Sequence, residues 1–159
     1  MALTLRVVEH IRDVPEDAWM RLVTEDSSPF VEYPWLATLE DAGCVGERAG
    51  WIPRHLALEE DGELVAAAPA YVKLNSEGEF VYDWSWADLS ERIGVAYYPK
   101  LVFAIPFTPA TGEKLVCAPG EDREELIHIV AHAARGLAKE AGLSGVHTLF
   151  PREDEAREW

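Results

Sequence analysis

Cationic side chains are scarce in this chain: 14 lysines and arginines stand against 29 aspartates and glutamates, for a net charge of −15. That deficit argues against a nucleic-acid partner, whose binding rests on phosphate neutralisation. It also disfavours an anionic lipid surface. Cysteine is nearly absent. Cys44 and Cys117 lie far apart with no metal-type spacing, so the chain reads as a reduced, cytoplasmic protein with no disulfide framework. No run approaches the ~18 apolar residues of a membrane span. The start, MALTLRVVEH, has no basic head before a long apolar block, so no secretory signal is read. GxSxG, GxGxxG and HExxH are missing, and with them the usual signatures of serine hydrolases, dinucleotide enzymes and zinc proteases. Repeats and low-complexity segments are missing too.

What is present suits one domain: 159 residues, 48% apolar and 10% aromatic, enough to fill a core. The stretch YYPKLVFAIPFTPATG, from Tyr97 to Gly112, organises the rest. Pro99 to Phe107 reads as a strand with Leu101, Phe103, Ile105 and Phe107 on one face. Lys100, Val102, Ala104 and Pro106 occupy the other. Both faces are mostly apolar, so the strand is expected to be central and covered on both sides. Lys100 is the exception and needs a partner or a solvent opening.

Around it, Leu3 to Glu9 alternates as a first strand. Asp13 and Glu16 resemble a capping box that opens a helix running to about Val23. A second helix spans Tyr33 to Ala42, and Gly43 suits its C-terminal cap. Arg54–Glu60 and Glu63–Leu74 form a hairpin around Asp61-Gly62, with an edge position or bulge expected at Pro69. Phe80 to Trp86 is strand-like and aromatic. Ser85 then caps a short helix to Ile93, closed by Gly94. Leu115 to Cys117 offers a short strand. The wide apolar stripe of Asp122 to Ala141 predicts a long helix, and Val146 to Phe150 a last strand. The fold class is α+β: a mixed, mainly antiparallel sheet flanked by helices.

Several segments taken together, SPF, YPWLATLEDAGCVG, GWIPRHLALE and YDWSWADLSERIGVAYYPKLVFAIPFTPATG, resemble the FemAB-like predicted N-acyltransferases of peptidoglycan biosynthesis or recognition. The element order resembles the GNAT acyltransferase fold. The resemblance implies a chain of two GNAT-like halves. Residues 1–150 are then one domain, and 151–159 the start of a helix leading to a missing C-terminal half. It implies transferase chemistry: acyl transfer from acyl-CoA, or from another acyl thioester or an aminoacyl donor, to a peptide-like or small amine acceptor. Such chemistry needs a proton acceptor for the amine and N–H donors for the thioester oxygen.

The GNAT resemblance implies a diphosphate loop of the form Arg/Gln-x-x-Gly-x-Gly/Ala at the start of the next helix, whereas Thr108 to Lys114, TPATGEK, departs from it with a single glycine. Glu121, Asp122, Glu124 and Glu125 follow it and would repel a diphosphate. Acyl-CoA is therefore expected to serve the complete protein without being held by this part alone. What remains is an acceptor surface: Trp84, Trp86, Tyr97, Tyr98, Lys100, Phe107 and Thr108. Asp83, Asp88 and Glu40 are candidate bases, each with a capping or solvated-charge role as its alternative. His128 and His132 have metal-pair spacing, but no third ligand falls on that face except through Glu124 or Glu125, so a solvated face is the reading and no metal is expected. The rival functions are a non-catalytic module that binds a peptide or peptidoglycan precursor, and a structural half that docks on a partner domain or on a second copy.

Overall fold

The computed structural model describes residues 3–159. Its elements run β1 (Leu3–Val8), α1 (Glu16–Met20), α2 (Tyr33–Asp41), β2 (Trp51–Pro53), β3 (His55–Glu60), β4 (Glu63–Ala68), β5 (Ala70–Lys73), α3 (Trp84–Ile93), β6 (Lys100–Phe103), β7 (Val116–Cys117), α4 (Arg123–Glu140), β8 (Val146–Thr148) and α5 (Glu153–Ala156). The strands form two four-stranded sheets, β1-β3-β4-β7 and β2-β5-β6-β8.

One bent hairpin feeds both sheets. Asp61 and Gly62 turn it with φ of 50° and 89°, the left-handed pair that a two-residue turn requires. Pro69 has no N–H to give to the ladder, and the expected single strand Glu63–Leu74 breaks there into β4 and β5. Arg54 N–H still donates to Ala70 O at 2.8 Å and carries the pairing across the break. Every pairing is antiparallel except β6 with β8. Those two strands are parallel, with α4 as their crossover.

The period-2 reading of β6 gives the layers. Leu101 and Phe103 pack with Leu126, Ile127 and Val130 of α4. Val102 and Ala104 pack with Trp51 and Tyr71 on the other side. A third cluster joins α1 and α2 to the β1 sheet through Trp19, Leu22, Leu36 and Ala57. Trp19 satisfies its indole by donating to Val31 O at 2.8 Å.

Four local expectations are corrected. The Asp13–Glu16 capping box does not form: Asp13 closes a 3-10 turn, and Pro15 precedes α1 with no side-chain cap. The central strand ends at Phe103, because Ile105 to Phe107 turn away and Phe107 takes φ +56°. Phe80–Trp86 is no strand. Phe80 and Tyr82 adopt left-handed φ of 59° and 52°, and α3 begins at Trp84. Asp83, not Ser85, holds its N-cap position. Trp159 packs on Phe103 with ring centroids 4.5 Å apart, and Glu155 is buried. Cys44 and Cys117 are free thiols.

Candidate functional site

Lys73 and Lys100 are register partners on β5 and β6. Two like charges directly opposite on paired strands repel, and both side chains are fully buried. The sheet needs anions here, and the segment after β5 supplies them. Lys100 Nζ donates to Glu79 Oε2 at 3.1 Å and to Asp83 Oδ2 at 2.8 Å. It also lies 4.6 and 4.8 Å from the ring centroids of Tyr97 and Tyr98. Tyr97 Oη donates to Asp83 Oδ2 at 2.7 Å, and Tyr98 Oη shares a 2.6 Å hydrogen bond with Ser76. Lys73 Nζ donates to Glu77 O at 2.8 Å and sits 4.0 Å over the Trp51 ring.

Burial pushes the Asp83 carboxyl up, but the bonds from Lys100 and Tyr97 outweigh it and hold the group at about 2. Glu79 moves the other way, raised by burial against the pull of Lys100. Burial also raises both tyrosines. Glu79 Oε1 and Asp83 Oδ1 are buried without a hydrogen-bond partner. Asp83 is thus a fixed anion and a poor proton acceptor at neutral pH.

Burial lowers the Lys73 ammonium from 10.5 to about 8. Between those pH values the unfolded chain holds a proton that the native state has shed, so Lys73 adds stability as pH rises. Urea unfolding of wild type and Lys73→Met from pH 8 to 10 should show the wild type gaining on the variant. Parallel profiles would contradict this.

The cluster anchors an aromatic display. No residue of α3 is buried. Trp84 and Trp86 are 61% and 66% exposed, and Tyr82 is 71% exposed, so these rings face solvent rather than the core. Leu89 and Ile93 continue the apolar row from Trp86 and are also exposed. The structure brings Asp83, Tyr97, Tyr98 and Lys100 together at the N-terminal end of this helix, through its N-cap Asp83. Lys100, fully buried and ion-paired, supports the surface without facing it. Phe107 lies apart, half exposed against Trp51 at 5.8 Å. Thr108 donates to Pro106 O at 3.0 Å.

The other candidate bases are engaged. Asp88 pairs with Arg92 at 2.7 Å on the exposed side of α3. Glu40 accepts from Ile11 N–H at 3.0 and 3.1 Å and meets His55 Nε2 at 2.9 Å. Ala70 N–H donates to His55 Nδ1 at 3.2 Å, so the imidazole proton sits on Nε2 and points at Glu40. This pair ties α2 to the hairpin. His128 pairs with Glu158 at 2.9 Å, and no group of metal-binding side chains occurs among the described residues.

Sequence reasoning missed Glu155, which is 2% exposed. Its carboxylate accepts from Lys114 N–H at 2.8 and 2.9 Å, from Leu115 N–H at 2.9 Å and from Arg123 at 3.2 Å. These donors lie between β6 and the head of α4, where Asp122 caps Glu125 N–H at 3.1 Å. Backbone amides beside a helix start can cradle phosphate. Glu155 instead occupies the amides of Lys114 and Leu115, which lead into β7, while Glu121, Asp122, Glu124 and Glu125 surround the start of α4.

Residues 10–159 match the FemAB-like family, described as peptidoglycan biosynthesis/recognition. The chain belongs to the FemAB-like family. A search of curated proteins finds no match. Among solved structures, this FemAB-like chain is similar to the ribosomal-protein-alanine N-acetyltransferase of Brucella melitensis biovar Abortus 2308. Identity is 14%, the TM-score is 0.55, and the alignment covers 99% of this chain and 89% of that one. The fold is therefore GNAT-like, α+β with mixed sheets flanked by helices.

Proposed function

We propose that this chain presents the acceptor-recognition face of a FemAB-like N-acyltransferase, the acceptor being an amine of peptide or peptidoglycan-precursor type. The observation that carries the reading is α3. It is a helix with no buried residue whose Trp84 and Trp86 project into solvent from a buried ion cluster. Exposed indoles offer large amphipathic faces to sugar rings and peptide groups. The family description, peptidoglycan biosynthesis/recognition, supports that acceptor class.

An attacking amine must lose a proton. Asp83, Asp88 and Glu40 are all tied to cations or donors, so none of them serves as the base in this reading. A second reading, a binding module without catalysis, is favoured by the acids at the head of α4, Glu121, Asp122, Glu124 and Glu125, which would repel a coenzyme diphosphate.

Titration with a soluble disaccharide–peptide fragment of peptidoglycan tests the shared core of both readings. Trp84→Ala and Trp86→Ala should each weaken binding by about tenfold, at ~1–3 kcal/mol per lost stacking surface, with melting temperature unchanged. Equal affinity in both variants would sink the proposal. Mass-spectrometric detection of an acylated acceptor separates enzyme from binding module.

A further inference from the structure

We propose a second binding site on this chain, for a small amphipathic organic anion, in the groove between α4 and β8. The groove has a volume of about 430 Å³, within the ~300–1,000 Å³ of small-molecule sites. Its apolar wall is Ala131, Ala138, Leu143 and Val146, its end is the ring of Trp159, and its charged lining is Arg135 and Lys139. It does not share a residue with the α3 surface.

Charge accounting singles this groove out. Of the 14 lysines and arginines, only Arg48, Arg135 and Lys139 make no hydrogen bond or ion pair among the described residues. Every other cation is matched to a carboxylate, a carbonyl or a thiol. With acids in twofold excess, an uncompensated cation is the rarer state, yet two occur one turn apart on α4 and line the same groove. The macrodipole accounts for Lys139, in the last turn of the helix. Arg135 lies a turn earlier and has no such explanation.

A second observation concerns Trp159, the residue at the end of the groove. Trp159 Nε1 is buried without an acceptor, although a buried indole N–H ordinarily finds one. Two unpaired cations, an unused donor and an apolar wall together describe a ligand with an anionic head and a short apolar or aromatic body. A phosphate monoester and a carboxylate share that chemistry. A bare inorganic anion would leave the wall unfilled, and a neutral alcohol would leave the cations unpaired.

The test is a titration of the full chain, followed by the indole N–H resonances and by calorimetry. The probes are phenyl phosphate, phenylacetate, inorganic phosphate and benzyl alcohol. Saturable binding of phenyl phosphate or phenylacetate that moves the Trp159 resonance is expected, with the tighter of the two naming the head group. Inorganic phosphate and benzyl alcohol should bind about tenfold or more weakly. Arg135→Glu should weaken the organic anion by at least about tenfold, the worth of one charge-assisted hydrogen bond. About 0.5 M salt should weaken it as well. Both side chains are exposed, so the variant is expected to fold, and its circular dichroism should match wild type. Absence of saturable binding by either organic anion at ten millimolar overturns the proposal, as does unchanged affinity in Arg135→Glu.

Discussion

Lys100→Met should lose about 3–5 kcal/mol of stability, the cost of stranding buried charge when one partner is removed. For a chain of this length that lowers the melting temperature by on the order of 10 °C. Lys100 is fully buried and is shared by Glu79 and Asp83 at 3.1 and 2.8 Å. Without it, two carboxylates face each other in the interior, each already carrying one unpartnered oxygen. Combining Lys100→Met with Glu79→Gln and Asp83→Asn should recover a large part of the loss, because the penalty comes from orphaned charge rather than from lost attraction. Urea unfolding at neutral pH reads both effects. A single variant within about 1 kcal/mol of wild type would place the pair in solvent and would remove the support from under α3.

Glu155→Ala is the second large effect. Two buried amides, Lys114 and Leu115, would lose their shared acceptor, at about 1–3 kcal/mol for each donor left unmet. Arg123 would lose its 3.2 Å partner, although it is 35% exposed and water can replace the carboxylate. Arg123→Ala should therefore cost much less than Glu155→Ala. The short α5 cannot hold itself, so its release should free Trp159 from Phe103. Amide exchange at Lys114 and Leu115 in the Glu155 variant should rise well above wild type. Unchanged protection there would mean that water or another group serves those amides equally well.

The contrast between these two carboxylates explains how much was legible in the sequence. Lys100 announced a problem: a cation on a strand that is apolar on both faces demands a counter-charge. The nearby aromatic run contained Asp83, which answers it. Glu155 gave no such signal. It sits among exposed acids, and its acceptor role depends on amides some 40 residues earlier in the chain, brought close only by the β6–α4–β8 crossover.

The same logic governs the elements. Asp61-Gly62 and the α4 stripe are local signals and appear where expected. The aromatic alternation of Phe80, Tyr82, Trp84 and Trp86 looks like a strand because period 2 normally separates a buried face from a wet one. Here Phe80, Tyr82, Trp84 and Trp86 are all exposed. Glu79 and Asp83 must reach Lys100, and the backbone between them adopts left-handed turns to let them do so. Tertiary ion pairing overrides the strand pattern.

That override yields a helix with solvent-facing indoles, and the account stands or falls on what they are for. A proton–nitrogen correlation spectrum of the indole N–H groups, recorded during titration with a soluble disaccharide–peptide fragment, tests it most directly. Saturable shifts concentrated at Trp84 and Trp86, with the buried Trp19 and Trp51 unmoved, are the predicted result. Shifts confined to other tryptophans, or none at millimolar ligand, would contradict a recognition role for α3.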